Sequence, residues 1–177
     1  MKHKFNNLGL SLVEVLVTIT VFSIAISVSS TVFLSVGNLQ RETAELKNLQ
    51  NEGRYLMEKM VREIRAREID YESLEFIDPE DEKMTNELIF QPDEQEEVYQ
   101  ISFNENNKSI FITIDGESAQ LNSDQVEVVE LKFYVYPFGA NIQPGATILL
   151  KLKNKAEGRG ADFVLTLQTS VSSRVYR

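Results

Sequence analysis

Few side chains in this 177-residue sequence are of the types that usually carry out catalysis. The chain has no cysteine and one histidine, His3, so thiol nucleophiles, thiolate metal sites and a histidine base beyond the first residues are excluded. The remaining carboxylates, serines, lysines and tyrosines show no spacing typical of an active site. We therefore expect a protein that is not an enzyme and that has no catalytic residue, metal site or cofactor.

One carboxylate is unusual because of its surroundings. Glu14 is the only ionisable side chain in residues 10–36. At ~1.5 Å per residue, a helix over this run reaches roughly 40 Å, enough to cross a hydrocarbon core of about 30 Å. A carboxylate inside such a helix costs about 2.5–3.5 kcal/mol and calls for a partner. The pattern predicts a membrane-spanning helix in which Glu14 has a specific role.

Charges and small residues around the apolar run indicate its orientation. Lys2 and Lys4 precede it, and charges of both signs follow it, so the positive-inside rule predicts a cytoplasmic N-terminus and an external C-terminus. In a secretory signal, the small residue of the cleavage site follows the apolar run. Here the small residue, Gly9, precedes the run. The alternative is a plain single-pass anchor in which Glu14 is a tolerated interfacial charge.

Residues 9–14 read Gly-Leu-Ser-Leu-Val-Glu. They closely resemble the processing motif of type IV prepilins and pseudopilins, Gly-Phe-Thr-Leu-Ile/Val-Glu, with Leu10 in place of Phe and Ser11 in place of Thr. The resemblance implies that prepilin peptidase cleaves between Gly9 and Leu10 and methylates the amine of Leu10. It also implies that Glu14 matches subunits during assembly. The partner of Glu14 would be the α-amino group of Leu10 in an adjacent subunit.

Residues 38–67 show a narrow apolar stripe at helical spacing. It consists of Leu39, Leu46, Leu49, Gly53, Leu56, Met60 and Ile64. We expect one helix over residues 10–67, with residues 53–67 packed on the chain's own sheet and residues 38–52 in contact with other subunits. Leu46, Leu49, Gln50 and residues 62–65 resemble the J-type minor pseudopilins of type II secretion and the W-type minor pilins.

The next segment, residues 68–97, is strongly acidic, with Lys83 as its single basic residue. This composition predicts an exposed, partly irregular connector. Asp78, Glu80, Asp81 and Glu82 offer oxygen ligands for Ca²⁺, but without the spacing of a known calcium loop, so a solvated acidic loop is favoured. The net charge of -9 argues against direct binding of nucleic acid by the chain.

Five runs with strand-like composition and alternation follow, over residues 98–103, 109–114, 126–136, 146–154 and 162–172. They predict an antiparallel β-sheet domain packed on the second half of the helix, an α+β fold. The expected layout is a leader (1–9), a transmembrane and assembly helix (10–36), its amphipathic continuation (37–67), and a β-rich extracytoplasmic domain (68–177). No repeat or linker indicates a second soluble domain.

The predicted function is that of a structural subunit, a minor pilin or pseudopilin of a type IV pilus or type II secretion-like filament. Residues 10–36 lack Pro and Gly, which favours a minor or initiating subunit. Expected partners are prepilin peptidase, other pilin or pseudopilin subunits and, before assembly, membrane lipid, with no small-molecule substrate. The protein would be anchored in the cytoplasmic membrane and then enter a filament or tip complex. The alternative is a membrane-anchored binding module that never assembles.

Overall fold

The computed structural model describes residues 11–74, 84–92, 98–136, 145–155 and 163–173. The chain divides into two compact units, Met1–Thr43 and Ala44–Arg177. One helix, α1 (Leu12–Ala66), begins in the first unit and ends in the second. Within the described residues, this agrees with the single helix expected over residues 10–67.

The second unit contains two four-stranded antiparallel sheets. Sheet I has the strand order β1-β6-β7-β8 and sheet II the order β2-β3-β4-β5. The strands are β1 (Met84–Thr85), β2 (Glu87–Phe90), β3 (Tyr99–Asn104), β4 (Ser109–Ile114), β5 (Glu117–Gln120), β6 (Val126–Tyr136), β7 (Gly145–Asn154) and β8 (Val164–Ser172). The predicted α+β class is confirmed, with two sheets in place of one.

Two strands lie inside the segment predicted as an exposed connector. Its described part contains β1 and β2, and Leu88 and Phe90 are fully buried there. Strand β2 pairs with β3, and the Gln100 side-chain amide donates to Glu87 Oε2 at 2.8 Å. The prediction missed this because a high average acidity concealed the alternation of buried and half-buried residues in β2.

The apolar stripe of α1 packs on the β-domain within the second unit. Leu49, Leu56, Met60 and Ile64 are at most 1% exposed. A β-carbon added to Gly53 would come within 2.7 Å of Leu167 Cδ1. Burying a leucine or methionine side chain contributes about 1.5–3 kcal/mol, so this stripe is a major part of the domain's hydrophobic core.

This packing starts earlier than predicted. Leu49 is buried, Glu52 Oε1 accepts a hydrogen bond from the Ser123 backbone at 2.7 Å, and the Glu45 carbonyl accepts one from Asn154 at 3.4 Å. The prediction that residues 38–52 contact other subunits is therefore wrong for Leu49. The helical spacing of the stripe is the same on both sides of Gly53, so spacing alone did not show where the contact begins.

A polar cluster fixes the end of α1 to both sheets. Glu63 is 9% exposed, and its carboxylate forms ion pairs with Lys59 Nζ at 2.9 Å and with Arg67 Nε at 3.4 Å. The Arg67 guanidinium carbon lies 4.1 Å from the ring centroid of Tyr99 in β3, and the Arg67 carbonyl accepts a bond from Ser173 after β8. Burial, followed by the Glu63 carboxylate, raises the pKa of Tyr99 to about 12.

The raised pKa of Tyr99 predicts a loss of stability at alkaline pH. Between pH 10 and 12 the unfolded chain has lost the phenolic proton that the folded chain retains, so the free energy of unfolding falls as pH rises through this window. Urea unfolding at pH 8 to 12 should show that Tyr99→Phe loses less stability over the window than the wild type. Equal losses in both proteins would contradict the assignment.

A second prediction concerns Gly53. Gly53→Leu should lower stability by about 1–3 kcal/mol, because the new side chain overlaps Leu167 and forces the helix from the sheet. Gly37→Leu is the matched control, since its β-carbon meets nothing within 4 Å and the gain in helix propensity is the same. Thermal unfolding followed by circular dichroism should show a lower midpoint for the Gly53 variant alone.

Candidate functional site

The candidate site is the start of α1, in the first unit. The helix begins at Leu12, the Ser11 carbonyl accepts the Val15 N–H at 3.1 Å, and Glu14 lies exposed in the first turn. A negative side chain is favoured at this end because the unpaired N–H groups carry partial positive charge. The helix therefore presents one carboxylate, close to its N-terminus and open to a partner.

The surface around Glu14 is apolar and exposed. Large hydrophobic side chains from Leu12 to Val36 are 43–79% exposed, and none of the most apolar window of the helix is buried. By length and composition, α1 can cross a membrane, and no other helix in the described part of the chain can. Exposed apolar surface on this scale is stable only in lipid or against other protein.

Six hydroxyl groups along this stretch are satisfied inside the helix. Each of the six donates a hydrogen bond to the carbonyl four residues earlier, at 2.6–3.0 Å. The donors are Thr18, Thr20, Ser23, Ser27, Ser29 and Thr31. Because a polar group without a partner is costly in hydrocarbon, these bonds make the segment compatible with a bilayer despite its serines and threonines.

The other predicted site residues lie outside the described part of the chain. Gly9 and Leu10, on either side of the expected cleavage, are among them. The acidic residues considered as calcium ligands, at positions 78, 80, 81 and 82, also lie outside the described part. Among the residues that the structure describes, no group of three or more His, Cys, Asp or Glu side chains is placed to hold a metal ion.

A charged network on the outer face of sheet I was not predicted from the sequence. Glu127 pairs with Lys153 at 2.9 Å and Lys108 at 3.4 Å, and Glu130 with Lys132 at 2.6 Å and Lys151 at 2.5 Å. A bulge between Val128 and Glu130 places Glu127 and Glu130 on the same face. Strict alternation would separate them, so the sequence pattern alone could not reveal the network.

The lysines keep both carboxylates of this network ionised. A hydrogen bond from Lys153 lowers the pKa of Glu127, and bonds from Lys132 and then Lys151 lower the pKa of Glu130. A general acid at neutral pH needs a carboxyl pKa that is raised. The network therefore provides surface ion pairs, which typically contribute little to stability, and does not resemble an acid–base site.

Comparison with known families identifies the N-terminal segment. The family model of the prokaryotic N-terminal methylation motif matches residues 4–30, which include Glu14 and the exposed apolar start of α1. No curated protein and no solved structure matches the chain.

Together, these observations define a class of protein. It has an α+β fold, and its apolar N-terminal helix with a prepilin-type motif fits membrane anchoring. Within that class, the motif supports a type IV pilin-like protein, a prepilin-like precursor for a pilus or pseudopilus. Proteins with this motif are structural subunits that prepilin peptidase processes and that assemble with other pilins.

Membrane insertion of α1 can be tested by introducing a charge. Ile24→Arg, at an exposed apolar position in the run, should raise the free energy of insertion by about 2.5–3.5 kcal/mol. Leu39→Arg, outside the apolar run, is the control and should have little effect. A glycosylation assay that reports the inserted fraction measures both, and equal insertion of the two variants would contradict a membrane-spanning role for this segment.

Proposed function

We propose that this chain is a minor pilin or pseudopilin subunit of a type IV pilus or type II secretion-like filament. One observation carries the proposal: the methylation motif at residues 4–30 coincides with an apolar helical surface that is left uncovered. An anchor alone requires the apolar surface but not the motif. A subunit that moves from lipid into a filament requires both.

Processing would occur between Gly9 and Leu10. Removal of residues 1–9 leaves the apolar helix on the mature protein and makes Leu10 its first residue, with N-methylation of that amine. The proposed layout is the leader, an assembly helix over residues 10–36, its continuation over 37–67, and the extracytoplasmic domain over 68–177. The matched motif, which spans the proposed cleavage position, supports this assignment.

Glu14 would match neighbouring subunits. Its carboxylate is exposed in the first turn of α1, and an unpaired charge at membrane depth costs about 2.5–3.5 kcal/mol. The α-amino group of an adjacent subunit's Leu10 is a cation created by cleavage itself. Pairing the two relieves the cost in the assembled filament, so Glu14 favours assembly of processed subunits.

A minor or initiating role is supported by the continuity of the helix. Residues 10–36 contain no Pro or Gly, and α1 is unbroken from Leu12 to Ala66. The likeness of residues 46–50 and 62–65 to J-type pseudopilins and W-type minor pilins points the same way. Lys2 and Lys4 favour a cytoplasmic N-terminus, with the domain outside on a single-pass anchor until the subunit joins a filament or tip complex.

Intact mass of the protein from its native membrane tests the proposal. The wild type should lack residues 1–9 and carry one added methyl group, and Gly9→Ala should retain the leader. A wild-type chain that still starts at Met1 would overturn the proposal and favour the anchored binding module.

The same preparation separates processing from assembly. Glu14→Gln should be cleaved normally but be lost from purified filaments, because the carboxylate that pairs with the neighbouring amine is gone. Glu58→Gln is the matched control, an exposed glutamate of α1 outside the apolar run, and should enter filaments as the wild type does. Normal incorporation of Glu14→Gln would refute the subunit-matching role.

A further inference from the structure

A groove opens on the outer face of sheet I, at the charged network. Its volume is about 670 Å³, within the range of about 300–1,000 Å³ that is common for ligand pockets. Four lysines line it: Lys108 from the turn before β4, Lys132 from β6, and Lys151 and Lys153 from β7. All of them belong to the second unit, so one compact body forms the groove.

The lysines of the groove cover the carboxylates that hold them. Glu127 and Glu130 each pair with two lysines, so each of these two groups keeps one uncompensated positive charge. The lysine side chains are 32–50% exposed, whereas the two glutamate side chains are 20–23% exposed. The groove therefore presents ammonium groups to solvent, although the chain has a net charge of -9.

The ion pairs leave the lysines able to bind a further acceptor. Within the described part of the chain, each of the four lysines pairs with one carboxylate. An ammonium group has three N–H donors, so each lysine has donors left for an incoming anion. Partly exposed ion pairs add little to the free energy of unfolding, so stability alone does not account for this concentration of lysines.

Strand β7 sets the separation of the two charged groups. Lys151 pairs with Glu130 and Lys153 with Glu127, and the two lysines are two residues apart on one face of the strand. This spacing is about 6.8 Å. Alternate residues of an extended peptide repeat at the same distance. A peptide with acidic residues at alternate positions can therefore place one carboxylate at each group.

Apolar side chains lie beside the lysines. Val129 and Val164 are 44% and 53% exposed, Phe103 is half-buried, and all three line the groove. Exposed apolar surface next to a charged centre is typical of binding surfaces. It offers contacts to apolar side chains that neighbour the acidic residues of a ligand.

We propose that this groove binds an extended acidic peptide segment of a partner protein, with acidic residues at alternate positions and apolar residues beside them. One carboxylate of the segment pairs with Lys132 and Lys151. The next acidic residue pairs with Lys108 and Lys153. The apolar residues contact the valines and the phenyl ring of the groove.

A peptide is favoured over a continuous polyanion such as nucleic acid. Glu105 also lines the groove, and the chain as a whole is acidic. A strand of phosphates that extends beyond the lysines would meet repulsion, whereas a peptide needs negative charge at the two lysine groups alone. The proposal concerns the β-domain and does not rest on the proposed function.

Two peptides of equal composition test the spacing. Capped, fluorescein-labelled Val-Glu-Val-Glu-Val and Val-Glu-Glu-Val-Val are titrated with the full-length chain in non-ionic detergent micelles, and binding is followed by fluorescence anisotropy. The first peptide should bind several-fold more tightly, because its two carboxylates match the two lysine groups. Equal affinities would show general electrostatic attraction and overturn the proposal.

Variants of the chain locate the binding. Lys151→Gln combined with Lys153→Gln should weaken binding of the alternating peptide several-fold, and Lys47→Gln, an exposed lysine of α1, is the matched control and should bind as the wild type does. Glu105→Gln should bind more tightly, because a repelling charge is removed from an exposed position. A gain of affinity cannot come from a damaged fold.

The remaining outcomes each count against the groove. No binding to the folded wild type, no loss in the double lysine variant, or no gain in Glu105→Gln would overturn the proposal. Tighter binding of labelled oligothymidylate than of the alternating peptide would overturn it in favour of nucleic acid. None of these outcomes depends on cleavage after Gly9.

Discussion

The contact of the α1 stripe with sheet I is the constraint on which the rest of the domain depends. Leu49, Leu56, Met60 and Ile64 are buried by it, and Gly53 allows the closest approach, next to Leu167. The sheet would expose Ile148, Leu150 and Leu152 to water without a layer on its inner face. At the end of the helix, Glu63 and Arg67 extend the same contact to Tyr99 of sheet II.

The sequence predicted those parts of the fold in which the local pattern of apolar residues matches the face that tertiary packing buries. Alternation identified β4 and β7, and helical spacing identified the stripe from Gly53 to Ile64. It failed where tertiary contacts decide the outcome. Strand β2 forms in an acidic segment because β3 pairs with it, and the bulge near Glu130 changes which face that residue occupies. The exposure of Glu14 is a property of the described helix, whereas Gly9 and Leu10 rest on sequence alone.

One helix serves two environments with two different patterns. Up to Val36 its large apolar side chains are exposed and Glu14 is its single charged residue, whereas in the second unit it is amphipathic with one buried stripe. The first pattern suits lipid or a bundle of like helices, and the second suits a sheet with water on the other side. The change of pattern along α1 marks where its apolar side chains stop requiring lipid or other helices to cover them. Beyond that point, the chain's own domain covers them.

The internally bonded hydroxyl groups of α1 affect how such helices recognise one another. The Oγ hydrogens of Thr20, Ser23 and Ser27 are already used by their own backbone, so an interhelical bond from these groups requires an existing one to break. In lipid, polar attraction between two copies through these hydroxyl groups is then weak. Neighbouring helices are then distinguished by their shape and by Glu14, the single ionisable side chain, at the N-terminal end of the run.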